Sequence, residues 1–220
     1  MSIIKTNLNQ IKSTLPQHVN LVAVSKTKPI EDLQEAYNAG QRIFGENKIQ
    51  EMTDKWESLP KDIDWHMIGH VQTNKVKYMA PYVGLIHSAD RLKLFKEIDK
   101  EAEKNNRIIK VLLQIKIAEE DSKFGMQPAE AKQLLDSNSF KENYPNINVV
   151  GLMGMASFVD DQDQLTREFS ELQKIYDRYK EQHNFTTLSM GMSGDYKLAI
   201  AYGSTMVRVG SAIFGERNYN

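Results

Sequence analysis

The 220-residue sequence contains no cysteine. That excludes disulfides, thiolate nucleophiles and cysteine-ligated zinc or iron–sulfur clusters. An excess of one charge is also missing, since 28 Lys and Arg stand against 29 Asp and Glu, a formal net charge of -1. So even a balance lacks the broad basic footprint of a nucleic-acid-binding protein. No apolar run approaches the ~20 residues that cross a bilayer. The opening residues Met1-Ser2-Ile3-Ile4-Lys5-Thr6-Asn7 lack the apolar core of a secretory signal. These absences predict a soluble, cytoplasmic protein with neither membrane nor nucleic acid as partner. One further absence is local. The turn after the first apolar run reads Lys26-Thr27-Lys28-Pro29, without the glycines of a dinucleotide-binding turn.

What is present is a steady alternation of short β-rich runs and longer amphipathic segments. Eight strands are predicted over 21–25, 43–45, 65–69, 83–87, 110–117, 149–156, 187–190 and 206–214. Helices are predicted between them over 30–40, 46–58, 73–80, 91–105, 128–137, 163–182 and 196–202, with an entry helix near 2–15. Gly40 suits a C′ position and Pro128 a first turn. Leu165, Phe169, Leu172, Ile175 and Tyr179 recur at helical spacing with charges between them. Strict βα alternation implies a parallel sheet. Eight units in this length favour a closed (β/α)8 TIM barrel over an open doubly wound sheet. No linker or boundary interrupts residues 1–220, so a single domain with an extra N-terminal helix is expected.

In such a barrel the chemistry sits at the carboxyl ends of the strands. The first strand, Leu21-Val22-Ala23-Val24, delivers Lys26 there, an amine on a rigid element suited to bonding a carbonyl. The plainer alternative is a paired rim lysine. Strand two runs into Gly45-Glu46-Asn47 and strand four into His87-Ser88-Ala89-Asp90. The seventh loop, Gly191-Met192-Ser193-Gly194-Asp195, reads by itself as an ordinary N-cap. Beside it, Gly210 and Ser211 would present further backbone N–H groups, and the two elements side by side favour a phosphate cradle more than either does alone. Arg208 interrupts an apolar strand at the parity of Gly210. It is either half of a buried salt bridge or a donor to a ligand, and the sequence leaves both open. His66 and His70 have zinc-like spacing but flank a strand, so no metal site is expected. Met153, Met155, Met190 and Met192 read as barrel core and rim.

These strand-end segments, in order, resemble the pyridoxal phosphate homeostasis proteins. The matching stretches are Ala23-Val24-Ser25-Lys26-Thr27-Lys28-Pro29, Phe44-Gly45-Glu46-Asn47, Trp65-His66-Met67-Ile68-Gly69 with Gln72-Thr73-Asn74-Lys75, Ser122-Lys123-Phe124-Gly125, Gly191-Met192-Ser193 and Ser204 through Gly210, with the tail Ala212-Ile213-Phe214-Gly215. The resemblance covers nearly the whole chain. It implies a barrel like the N-terminal domain of alanine racemase, a fold-type III architecture, holding pyridoxal 5′-phosphate (PLP). It implies Lys26 as the internal aldimine lysine and Arg208 opposite the pyridine nitrogen. Ser193, Gly210 and Ser211 would hold the phosphate, Asn47 and His87 would lie near the ring, and Lys123 sits in a loop within reach.

The expected function is binding of PLP in vitamin B6 homeostasis, without strong catalysis and with PLP-dependent apo-enzymes as recipients. A cationic Arg208 disfavours the protonated ring nitrogen that makes PLP a strong electron sink. Only five residues follow Gly215, too few for the β-rich second domain of the racemases. The alternatives are a small fold-type III racemase or decarboxylase and, in another class, a Schiff-base aldolase that needs no coloured cofactor.

Overall fold

The computed structural model describes residues 2–120, 124–137 and 139–216. Helix α1 (Ile3–Thr14) enters strand β1 (Asn20–Val24), followed by α2 (Ile30–Asn38), β2 (Ile43–Glu46), α3 (Ile49–Ser58) and β3 (Asp64–Met67). A 3-10 turn (Thr73–Lys75) runs into α4 (Val76–Met79), then β4 (Leu85–Ala89), α5 (Leu92–Lys104), β5 (Ile109–Ile115), α6 (Pro128–Asp136) and α7 (Ser139–Asn143). The chain continues through β6 (Ile147–Gly154), α8 (Gln162–His183), β7 (Thr187–Ser189), α9 (Tyr196–Ala201), β8 (Met206–Val209) and α10 (Ser211–Phe214).

The strands form one closed parallel barrel in sequence order, with β8 returning to β1 through Val22↔Arg208 and Ala23↔Val209. Period-two alternation splits the apolar residues of each strand between two cores. Val22, Leu85, Leu112, Met153 and Met206 pack together in one cluster within the barrel. The opposite faces, with Phe44 and Trp65 among them, pack against helix residues such as Leu33, Phe95 and Phe169. Each large side chain so buried is worth roughly 1.5–3 kcal/mol.

Local chemistry sets the helix ends. Asp161 caps α8 by accepting from the N–H groups of Asp163 (2.9 Å) and Gln164 (3.1 Å). Asn184 closes the same helix in the left-handed region at φ +54°, a conformation that Asn tolerates better than most residues. The final strand is shorter than expected. It stops at Val209, because the Gly210 carbonyl accepts from both Ile213 and Phe214 N–H at 2.9 Å and starts α10. Ile213 and Phe214 are buried, and α10 packs on α1. A four-residue apolar run carries no period that tells strand from helix. The helix expected over 73–80 opens as a 3-10 turn, and α7 had no counterpart in the pattern.

Candidate functional site

Lys26 lies half-buried in the turn that leaves β1. The turn is closed by Lys28 N–H donating to the Ser25 carbonyl at 3.1 Å. Thr27 sits at its second central position with φ +64°, a conformation that favours glycine and strains a β-branched side chain. A buried cluster holds that strain. Ser25 Oγ donates to Glu46 Oε1 at 2.6 Å, and Lys55 Nζ donates to the Ser25 carbonyl (2.8 Å), to Glu46 Oε1 (2.8 Å) and to Glu51 Oε1 (2.7 Å). Glu51 Oε1 also accepts the Thr27 N–H at 2.6 Å. The residues on both sides of Lys26 are thus tied to one three-charge network contributed by β2 and α3. Lys28, for its part, donates to the Phe214 (2.9 Å), Gly215 (3.2 Å) and Glu216 (3.1 Å) carbonyls and caps α10.

Burial pushes the Glu46 carboxyl up to about 6, against the opposing pull of Lys55 and of the Ser25 hydroxyl. Because the folded state holds this proton more tightly than the unfolded chain does, the stability it contributes is complete below about pH 4.5. It is lost as pH rises through about 6. Glu46→Gln removes that titration. The stability of the wild type relative to the variant should fall by on the order of 1 kcal/mol between pH 5 and pH 7. Urea unfolding at the two pH values measures it, and a pH-independent difference contradicts it.

Arg208 is 4% exposed, inside the barrel. Its Nη1 donates to Ser189 Oγ at 2.7 Å and its Nη2 to the Gly154 carbonyl at 3.0 Å. Neither acceptor is charged, and among the described residues no carboxylate forms an ion pair with it, which disfavours the salt-bridge reading. Burial pulls the guanidinium down to about 10, partly offset by Asp195, so it stays cationic at neutral pH. A buried cation with no carboxylate in direct contact costs several kcal/mol, which the more distant Asp195 charge offsets only in part, and a ligand acceptor would relieve it. His87 is completely buried, with both ring nitrogens engaged: Nδ1 with Ser189 Oγ at 3.1 Å and Nε2 with His66 Nδ1 at 3.0 Å. It reaches Arg208 through Ser189. His66 and His70 diverge, His66 toward His87 and Asp64 and His70 toward Phe124 and Asp90.

The loop after β7 and the start of α10 meet where Gly210 N–H donates to Ser193 Oγ at 3.3 Å. A Cβ on Gly210 would lie 3.1 Å from the Val24 carbonyl, which brings this pair against the end of β1. The N–H groups of Ser193, Gly194 and Ser211 donate to no acceptor among the described residues. Asp195 Oδ1 accepts the Met192 N–H at 2.5 Å and braces the loop. Clustered, unengaged N–H donors form a receptor for an anion such as a phosphate. A cleft of about 520 Å³ runs from Ser193 and Gly194 along α9 to Asn7 and Gln10 of α1.

Asn47 is half-buried and follows β2, which pairs with β1 through Val24↔Gly45. Its backbone packs against Gly69 so closely that a Cβ there would come within 2.4 Å of the Asn47 carbonyl. Lys26, Asn47, Ser193, Gly210 and Ser211 therefore share the carboxyl-end rim of adjacent strands, with Arg208 and His87 below them. Lys123 lies outside the described residues. The sequence had given no role to Glu46, Lys55, Ser189 or His66. A usable hint was Lys55 itself, a lysine on the apolar stripe of Ile49 and Met52.

A cationic guanidinium, an anion-receptive loop pair and a strand-end lysine match the acceptor, phosphate and aldehyde groups of PLP. The profile of the alanine racemase N-terminal domain family matches residues 1–218. The pyridoxal phosphate homeostasis protein of Aquifex aeolicus is 41% identical over 202 residues, covering 90% of this chain and 87% of its own. The chain belongs to the pyridoxal phosphate homeostasis protein family. PipY of Synechococcus elongatus PCC7942, a solved structure without PLP, superimposes with a TM-score of 0.89 at 35% identity, over 96% of this chain and 100% of PipY. PipY solved with PLP bound gives a TM-score of 0.83 at 34% identity, with the same coverage. The alanine racemase of Streptomyces lavendulae shares the fold, with a TM-score of 0.82 at 14% identity over 98% of this chain and 57% of the racemase. The homeostasis family is thus built on the racemase barrel. Among the described residues of this member, no helix is long and apolar enough to cross a membrane.

Proposed function

We propose that the chain is a cytoplasmic, single-domain protein that binds PLP covalently through Lys26. It holds the cofactor for intracellular vitamin B6 homeostasis, with PLP-dependent apo-enzymes as recipients, and does little catalysis of its own. The observation that carries this reading is the buried Arg208, without a carboxylate partner, below a strand-end rim that carries both Lys26 and unengaged backbone N–H groups. When bound, the cofactor supplies an aldehyde that captures a lysine amine and a ring that withdraws electrons. Lys26 provides the amine. The Gly210 and Ser211 backbone and the Ser193 hydroxyl bind the phosphate, and Arg208 donates to the ring nitrogen. Asn47 flanks the ring, and His87 acts on it through Ser189 and Arg208. A guanidinium facing that nitrogen repels a proton there and gives up none of its own. This weakens the electron withdrawal that racemisation or decarboxylation requires.

The protein should purify yellow or turn yellow with added PLP, and borohydride should fix the label on the Lys26 peptide. Lys26→Ala should lose the visible band and the label while keeping a weaker, phosphate-anchored affinity. A colourless protein that takes up no cofactor overturns the reading. Exchange of amino-acid α-protons in deuterated water well above that of free PLP would make the chain an enzyme instead.

A further inference from the structure

A line of hydrogen bonds runs through the barrel from Arg208 to Asp64, the residue that opens β3 at the barrel's amino-terminal end. Arg208 Nη1 meets Ser189 Oγ at 2.7 Å, Ser189 Oγ meets His87 Nδ1 at 3.1 Å, and His87 Nε2 meets His66 Nδ1 at 3.0 Å. His66 Nε2 then meets Asp64 Oδ2 at 3.3 Å. The four links come from β8, β7, β4 and β3, so only barrel closure assembles them.

The two ends are chemically opposite. Guanidinium only donates, and an ionised carboxylate only accepts. Burial alone would raise the Asp64 carboxyl, but the His66 hydrogen bond and the charges of Lys110 and Arg107 hold it below its ordinary range. His66 must therefore donate from Nε2 and, when neutral, accept at Nδ1. His87 then donates from Nε2 and accepts at Nδ1, and Ser189 spends its one O–H on His87. With that proton committed, Ser189 Oγ faces Arg208 purely as an acceptor. The Gly154 carbonyl accepts from Nη2 at 3.0 Å. Two guanidinium nitrogens are pinned from below, and the remaining N–H donors are left for a ligand. The opposite polarity would need His66 protonated on both nitrogens, and it fails because His87 would then donate to Ser189 and orphan the Ser189 O–H in a buried site.

We propose that Asp64, His66, His87 and Ser189 are positioning residues. They form a one-directional hydrogen-bond chain that orients Arg208 and so tunes the ring nitrogen of the cofactor assigned to this site above. The chain extends that functional reading and rests on it only for the cofactor. Its far end, Asp64, has a half-exposed side chain and lies on the opposite side of the barrel from Lys26. Changes there should be felt at the mouth without any change in the residues that touch the ligand.

Two measurements on the full chain test it. Nitrogen-15 NMR of the cofactor-free protein near pH 7 should find His66 and His87 both neutral and protonated on Nε2. A proton on Nδ1 of either ring, or a charged His87, overturns the chain. PLP titration then compares the wild type with Ser189→Ala, Asp64→Ala and Asp64→Asn. Ser189→Ala should weaken PLP binding about tenfold, the loss of one hydrogen bond to a charged group. Asp64→Ala should shift the visible band and its pH titration, and Asp64→Asn, whose amide oxygen still accepts, should restore both. Spectra and affinities unchanged in Ser189→Ala and Asp64→Ala overturn the proposal. A wild-type protein that binds no PLP overturns the functional reading separately, while the histidine tautomers still judge the chain by themselves.

Discussion

Replacing Lys55 with alanine is expected to destabilise the fold by about 3–5 kcal/mol at pH 7, the range for stripping one partner from a buried ion pair. The Lys55 side chain is 6% exposed and that of Glu46 is wholly buried, so water cannot substitute for the lost ammonium. Three acceptors lose a donor together: the Ser25 carbonyl, Glu46 and Glu51. The damage should depend on pH. Without Lys55 the Glu46 carboxyl rises further above about 6, its present value, and below that pH it takes up a proton instead of standing as an unpaired charge. The defect should therefore shrink between pH 7 and pH 5. Urea unfolding at both values measures this, and Lys55→Ala paired with Glu46→Gln should show strong non-additivity. A loss under 1 kcal/mol, unchanged with pH, would mean that the network does not hold the turn. The functional consequence lies one residue away. Thr27 keeps φ +64° only while its surroundings over-determine it, so releasing Ser25 and Glu51 should let the Lys26 turn relax and lower the yield of the borohydride label.

The contrast between Lys26 and Lys55 shows how far the sequence was readable. Lys26 was visible because it ends an apolar run, and strand parity with topology then put it at the barrel mouth. Arg208 was visible because a charge interrupts an apolar strand. Its partners were not, since Ser189 and the Gly154 carbonyl reach it only after strands distant in sequence close into a ring. The same holds for Glu46, which reads locally as an ordinary polar residue at a strand end. Its burial follows from α3 folding Lys55 back over β1. Gly151 is a milder case. It sits in β6 at φ +156°, next to a register shift against β5, and a Cβ there would fall 1.7 Å from the Thr187 carbonyl. A glycine inside a strand pattern signals such a bulge, but which neighbour crowds it depends on the β6–β7 pairing. The α10 segment reads as strand in the sequence because its apolar face matches either element until α1 is in place.

Arg208→Met should separate stability from binding in the opposite way to Lys55→Ala. Methionine fills much of the arginine volume without its charge. Two terms oppose each other in the cofactor-free protein. Removing the guanidinium relieves a desolvation cost of several kcal/mol. It also leaves the Gly154 carbonyl without a partner, at about 1–3 kcal/mol, while Ser189 keeps His87 as its acceptor. The two nearly cancel, so the melting temperature of the cofactor-free variant should stay within about 4 °C of the wild type, equivalent to about 1 kcal/mol at this size. Lys55→Ala should lose roughly 10 °C or more on the same scale. PLP affinity should move the other way, falling about 10- to 100-fold in Arg208→Met as a charged donor to the ring nitrogen disappears. Calorimetry without cofactor and fluorescence titration with it give both quantities on one preparation. An Arg208→Met protein that melts as low as Lys55→Ala would make the guanidinium a structural brace. One that binds PLP like the wild type would remove Arg208 from the site. The expected pattern, an almost unchanged fold with a much weaker grip, is that of a residue whose burial is tolerated because a ligand completes it.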